Sequence, residues 1–301
     1  MSTAKLAFSL TKGALRVVGL PSLALYVAFM YIVVRRRDEK PFRSVFFTIC
    51  LYLGAADCAL TLCGTLALNA VAAVYTLLVL LQCVAVALIG VNRLLAIVKP
   101  FDVNAILSHR LVKYIMVVAL MVDLALHASR VALLPIVRYN ASGVNMGYSA
   151  DKENSFLANV LDASLVLALV LLSLVCYAVA FVSLLRSRGR RDGGATARGG
   201  VSVAEVKLAV YGLLISCLQL LVALAISTRV FFRRAPDGSY TDESYYFFIA
   251  NAVSVSLFTW LNPYFIIASS NATRRAYTEL WRSMTHRCTD QGRCVRSEPV
   301  V

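Results

Sequence analysis

The sequence predicts an all-α membrane protein, a seven-transmembrane helix bundle with a short amphipathic helix after the seventh span. Of the 301 residues, 59% are hydrophobic and 15% are charged, whereas roughly a quarter of a soluble domain is charged. A helix needs about 20 apolar residues to cross the hydrocarbon core of a bilayer. Seven apolar stretches are long enough, at residues 13–34, 44–66, 71–91, 111–136, 156–185, 208–232 and 245–269.

The distribution of basic residues predicts the orientation of this bundle. Most of the 30 Lys and Arg residues lie in alternate connections and in the C-terminal tail, and the positive-inside rule places such segments in the cytoplasm. We therefore expect a multi-pass protein of the cell membrane with an extracellular N-terminus and a cytoplasmic C-terminus, in contact with the lipid bilayer. This topology accounts for the net charge of +14, so the charge does not indicate a nucleic-acid partner.

The chain is expected to form one seven-transmembrane domain, residues 1–269, followed by a cytoplasmic tail, residues 270–301. Cys288 and Cys294 in this tail could carry palmitate or remain free thiols. Apolar side chains recur at helical spacing in the tail, at Tyr277, Leu280, Trp281 and Met284. That spacing predicts an amphipathic helix lying on the inner leaflet.

Ionisable residues inside the apolar stretches are the first candidates for a function, because each needs a partner or a water-filled cavity. Asp57 lies midway along the second stretch. It is either a switch residue bonded to polar groups of the seventh stretch, such as Asn262, or a neutral residue that only packs. In the fourth stretch, Asp123, His127 and Arg130 share one helical face. They form either a self-neutralising structural trio or a ligand-facing cluster.

Arg93 follows the third stretch without a break, at the predicted cytoplasmic boundary. An arginine there can anchor the helix simply by extending its side chain to water. Glu205, at the start of the sixth stretch, could pair with Arg93 and hold helices three and six together. In the seventh stretch, Asn262 precedes Pro263 and Tyr264. A proline frees a backbone carbonyl, so this point is a plausible hinge.

Other sites are sparse. Asn140 begins an Asn-Ala-Ser sequon in the longest outer loop, which predicts glycosylation. The three histidines are dispersed and no loop holds an acidic cluster, so we expect no metal site and no cofactor. Neither an HExxH motif nor an intramembrane serine–lysine arrangement occurs, and we do not expect an enzyme. The seventh stretch has no lysine for a retinal Schiff base.

Several short motifs, in a fixed order, carry a resemblance to a known family. They are GLPSLALYV at Gly19, RRRDEKPFRSVFFTI at Arg35, AAD ending at Asp57, NRLLAIVKP at Asn92, AEVKLAVYGLLISCLQLL at Ala204 and LNPYFIIASSNATRR at Leu261. In these motifs the chain resembles rhodopsin-like seven-helix G-protein-coupled receptors. It resembles nematode serpentine chemoreceptors of class V and class gamma more closely.

The chain also departs from the wider receptor pattern. Asn92 stands where an acidic residue usually precedes the arginine of helix three, so Arg93 lacks an adjacent carboxylate. Ile266 replaces the usual tyrosine of helix seven, and Tyr264 lies two positions earlier. Helix six has neither proline nor tryptophan, and the outer cysteine pair is absent. These departures bring the chain nearer to the nematode families.

The resemblance implies a chemosensory receptor in the cell membrane, including that of a sensory cilium. It implies a small-molecule ligand bound at the extracellular side and a heterotrimeric G protein activated inside. The implied coupling and switch residues are Asn92, Arg93, Glu205, Asn262, Pro263 and Tyr264. Location alone suggests that Tyr75, Asp162 and Tyr246 line the ligand pocket. A small seven-helix transporter is the alternative, because Asp57 and Pro263 could also serve a substrate site at the midplane.

Overall fold

The computed structural model describes residues 3–40, 42–65, 72–98, 106–133, 152–189, 203–227 and 242–294. These ranges are almost entirely helical and contain no strand, which confirms the predicted all-α class. The helices are α1 (Thr3–Arg35), α2 (Val45–Thr65), α3 (Ala72–Val98), α4 (His109–Leu133), α5 (Lys152–Gly189), α6 (Val203–Ser227), α7 (Asp242–Ser269) and α8 (Asn271–Cys294).

Six of these helices form a closed ring. α1 packs on α2, α2 on α3, α3 on α5, α5 on α6, α6 on α7, and α7 returns to α1. α4 packs on α3 from outside this ring. α3 touches α2, α4, α5 and, over a smaller area, α6. The third helix is therefore the central element, and its residues can contact most of the bundle.

By length and composition, five helices of the described residues can cross a membrane, namely α1, α2, α3, α5 and α6. The number is six if the bent pair of α7 and α8 counts as one span. α4 is outside this set, and Arg110, Lys113 and Asp123 interrupt its apolar length. Large apolar side chains such as Met121 and Val175 point outward, where a bilayer would cover them.

Two apolar clusters fill the bundle. The larger one joins the six helices from α2 to α7 and includes Leu53, Val86 and Phe258. The smaller one lies at the end of the bundle that carries Arg93, which we call the Arg93 end. It joins the last turns of α1 to α2, α7 and α8. Its buried members are Phe29, Ile32, Val33, Phe42, Phe46, Phe47, Cys50, Ile266 and Ala276.

Aromatic side chains lie over glycines at two contacts between α1 and its neighbours. The Trp260 ring of α7 lies over Gly19 of α1, where an added Cβ would come within 2.8 Å of Nε1. Tyr26 of α1 lies over Gly54 of α2, with 3.2 Å from such a Cβ to the ring. A larger residue at either glycine would push the ring away, so these glycines set the local distance between helices.

The tail helix α8 turns away from α7 by 95°. The amphipathic helix is thus present, but it is 24 residues long and therefore not short. The sequence suggested that its apolar side chains meet the inner leaflet. Instead, Tyr277 and Leu280 pack on the smaller cluster, whereas Trp281 is 65% exposed. Contacts with the helix bundle therefore hold α8 in place, in addition to any contact with lipid.

Candidate functional site

Asp57 of α2 is fully buried and accepts hydrogen bonds from three other helices. The Tyr26 hydroxyl of α1 and the Asn262 amide of α7 both donate to Oδ2, the latter at 3.1 Å. The Gln82 amide of α3 donates to Oδ1. The contact between Asp57 and Asn262 was predicted, whereas those from Tyr26 and Gln82 were not. We call these four residues the Asp57 hub.

The hub is extended by two hydroxyl groups. Gln82 Nε2 also lies 3.2 Å from Thr259 Oγ1 of α7, and Thr61 Oγ1 donates to the Asp57 carbonyl at 2.8 Å. An ionised carboxylate only accepts hydrogen bonds, and converging donors compensate for its removal from water. The arrangement can therefore hold a buried carboxylate, and it ties α1, α2, α3 and α7 together at one level of the bundle.

Arg93 lies near the end of α3, partly buried, with its Cζ 3.9 Å from the centre of the Phe46 ring of α2. A guanidinium over an aromatic face is attracted by the ring quadrupole, by about 0.5–2 kcal/mol depending on its hydration. Asn92 beside it is buried. A side-chain amide cannot supply the charge of the carboxylate that the wider receptor pattern has at this position.

A small cavity lies between Arg93 and the Asp57 hub. It has a volume of about 30 Å³, which is room for roughly two water molecules. Arg93 and Asn262 both line it, so the cavity extends from the arginine to one member of the hub. Its wall is completed by residues of α2, α5, α6 and α7, among them Cys50, Tyr177, Tyr211, Gly212 and Ile266.

These features lie within a segment that matches a known family. A family model described as "Serpentine type 7TM GPCR chemoreceptor Srv" matches residues 64–282. The chain belongs to this chemoreceptor family. The predicted resemblance to class V serpentine receptors is confirmed. No curated protein matches the chain.

The matched segment runs from the last residues of α2 into α8 and contains Arg93 and Asn262. The family is described as a seven-transmembrane one, in agreement with the seven apolar stretches of the sequence. Asp57 and Tyr26 precede the matched segment. Two of the four hub residues therefore lie outside the matched segment.

Helix seven contributes its predicted residues unequally. Asn262 and Pro263 are buried, and Asn262 faces both the hub and the cavity. Tyr264 is 43% exposed and is not one of the cavity-lining residues. Ile266, which replaces the usual tyrosine, does line the cavity. Pro263 lies inside a continuous α7, so the predicted hinge residue sits within a helix that is not interrupted there.

The other predicted residues lie away from the cavity or outside the described set. Asp123 is buried in α4, Asp162 is half-buried in α5 and Tyr246 of α7 is 58% exposed. Asn140 lies outside the described residues. Four further residues lie in helices, but their side chains are outside the described set. They are Tyr75 in α3, His127 and Arg130 in α4, and Glu205 in α6.

Sequence reasoning missed Tyr26, Gln82, Tyr177 and Gly212. Gln82 carried a usable signal, because an amide inside an apolar stretch needs a hydrogen-bond partner as a carboxylate does. Tyrosine and glycine are common in membrane helices and carry little signal by themselves. Within the described residues, no group of three or more His, Cys, Asp or Glu could hold a metal ion.

Proposed function

We propose that this chemoreceptor binds a small molecule on its extracellular side and activates a heterotrimeric G protein at its Arg93 end. The observation that carries the proposal is the family match over residues 64–282, because it covers most of the bundle together with Arg93 and α8. The cavity between Arg93 and the Asp57 hub supports it, since a two-state helix bundle needs internal space in which side chains can rearrange.

The proposed mechanism starts from the differences in how firmly the helices are joined. The hub links α1, α2, α3 and α7 by hydrogen bonds, whereas α3 and α6 share only a small contact area. Movement of α6 away from α3 therefore breaks few contacts between these two helices. A ligand that binds the open arrangement better would shift the population toward it and widen the cavity beside Arg93.

The proposed orientation places the Arg93 end in the cytoplasm. The positive-inside rule supports it, because alternate connections and the tail carry most of the basic residues. The 95° turn before α8 lets this helix lie along the membrane surface at the same end as Arg93. In this orientation Arg93, α8 and the cavity face the intracellular partner.

The test is a second-messenger assay in cells that express the receptor at their surface, screened against volatile and pheromone-like compounds. We expect at least one compound to raise the response. Arg93→Ala should abolish that response at equal surface expression. Arg37→Ala is the matched control, because Arg37 is an exposed arginine at the same end, and it should respond as the native chain does. Substrate flux without any G-protein response would favour the transporter alternative and overturn the proposal.

A further inference from the structure

Tyr177 of α5 lies between two glycines on two other helices. The side chain is 2% exposed. A Cβ added to Gly212 of α6 would overlap Cε1, Cδ1 and Cζ of its ring, and one added to Gly90 of α3 would lie 3.3 Å from Cε2. The ring thus occupies the volume that side chains at both positions would need. We call Tyr177, Gly90 and Gly212 the tyrosine notch.

A hydrogen bond closes the same interface one helical turn away. Ser173 Oγ of α5 and Ser216 Oγ of α6 are 2.8 Å apart, and both serines are fully buried. Ser173 precedes Tyr177 by four residues and Gly212 precedes Ser216 by four, so each pair shares one helical face. The contact between α5 and α6 therefore consists of two successive layers, a serine pair and a ring fitted into the notch.

The Tyr177 ring is in close contact with α3 on the side away from Gly212. Behind it, a Cβ at Gly90 would also lie 3.4 Å from Cys176 Cβ and 3.5 Å from the Ser173 carbonyl, so α3 and α5 are already in close contact there. Interiors packed at this density do not absorb an extra methyl group without movement. Because the ring already contacts α3, we expect an added methyl at Gly212 to displace α6.

We propose that Tyr177 is a positioning residue, a spacer that sets the distance of α6 from α3 and α5 and so keeps the receptor closed. Tyr177, Gly212 and Arg93 line the same cavity, so a displacement of α6 at the notch widens the space beside Arg93. The fit of the Tyr177 ring against Gly212 would then keep α6 in the closed position. Asn92, which is not a carboxylate, cannot do so by an ion pair with Arg93. The signalling consequence rests on the proposed function, whereas the spacer role does not.

The separation of α5 and α6 can be measured without any G protein. In the full chain, Ser173→Cys and Ser216→Cys replace the hydrogen-bonded serines by a pair of thiols close enough for a disulfide. A protease site inserted among residues 190–200 allows the chain to be cut between the two helices. On a non-reducing gel the two fragments then migrate together only if the disulfide has formed. We expect the pair to cross-link readily upon mild oxidation in membranes. The chain with Ser216→Cys alone corrects for the native cysteines.

Gly212→Ala in this background should reduce the extent of cross-linking several-fold. Gly13→Ala is the matched control, because nothing lies within 4 Å of a Cβ at that position, and it should leave cross-linking unchanged. In a Tyr177→Ala background Gly212→Ala should have no effect, since the ring it overlaps is gone. Unchanged cross-linking in Gly212→Ala, or a loss that persists without the ring, would overturn the spacer role.

Gly90→Ala carries the same test if Gly212→Ala does not accumulate in the membrane. A Cβ there meets the ring at 3.3 Å, so we expect a smaller loss of cross-linking that also disappears in the Tyr177→Ala background. The second readout is the basal second-messenger level, which Gly212→Ala should raise. A loss of cross-linking with no change in basal level would leave the spacer in place and contradict coupling through α6.

Discussion

Asp57 is the residue on which the side-chain donors of the hub converge. Its three side-chain donors come from three different helices, so each hydrogen bond joins a helix pair as well as satisfying the carboxylate. A hydrogen bond contributes about 0.5–1.5 kcal/mol to stability, and a buried polar group left without its partner costs about 1–3 kcal/mol. A change of one donor should therefore be visible in the stability of the whole bundle.

Tyr26→Phe removes one of these donors and keeps the ring that covers Gly54. We expect a loss of about 1–3 kcal/mol in stability, because the carboxylate remains buried with one hydrogen bond fewer. The measurement is the thermal midpoint of the purified protein in detergent. Tyr114→Phe serves as control, since this tyrosine of α4 is 67% exposed. Equal midpoints for both variants would contradict the role of the Tyr26 hydroxyl.

Phe46→Leu tests the contact that holds Arg93. The leucine fills most of the space but has no aromatic face, so the cation–π attraction at 3.9 Å is lost. If this contact favours the closed arrangement by about 0.5–1 kcal/mol, its loss should raise basal second-messenger output roughly two- to fivefold. Phe46→Tyr keeps the ring face and should resemble the native chain. A rise of equal size in both variants would count against the cation–π explanation.

At the scale of the elements, α8 behaves as part of the bundle. Ala276 is buried against the smaller cluster, and the Tyr277 hydroxyl donates to the Leu25 carbonyl of α1 at 2.5 Å. Arg36 and Glu279 form an ion pair at 2.5 Å. The hydrogen bond that Arg36 donates to the Glu279 carboxylate raises the pKa of the Arg36 guanidinium. Exposed pairs of this kind contribute under about 1 kcal/mol, so apolar contacts must hold α8.

Ala276→Leu should therefore displace α8 from α1. The site is 1% exposed, and overpacking of a filled site typically costs about 1–3 kcal/mol. We expect a lower thermal midpoint and faster proteolysis within residues 271–294. Ser283→Leu, at an exposed position of the same helix, should change neither. If both variants were cleaved at the native rate, α8 would be held in some other way.

At the scale of the whole molecule, the ring of helices brings distant segments of the chain to one site. The cavity is lined from α2, α3, α5, α6 and α7. It lies where α3 and α6 approach each other, and these two helices share only a small contact area. Five helices are therefore needed to form the site, and no single span contains it.

The hydropathy of the sequence predicts where the membrane-spanning helices lie more accurately than it predicts the residues at which they begin and end. The third stretch was predicted at residues 71–91, whereas α3 continues to Val98, past Arg93. The fifth was predicted at 156–185, whereas α5 runs over Lys152–Gly189. A helix needs internal hydrogen bonds and continues wherever these form. Hydropathy reports only the part that meets hydrocarbon, so charged end turns are missed.

The partners of Asp57 were predictable only in part. A carboxylate in hydrocarbon requires a polar partner, and Asn262 was a good candidate because few amides lie in the seventh stretch. Tyr26 could not be chosen among the 14 tyrosines of the chain. Its hydroxyl reaches Asp57 because Gly54 lets the ring lie flat on α2, a contact that depends on the relative rotation of two helices.

The sequence by itself determined the helical membrane class, the apolar spans and the chemoreceptor family, because hydropathy and short motifs act locally along the chain. Only the tertiary structure decided that Asp57 gathers donors from three helices. It also decided that Arg93 lies over Phe46, and that Tyr177 fits between Gly90 and Gly212. These contacts depend on the distance and rotation between helices, which are set by packing across the whole bundle.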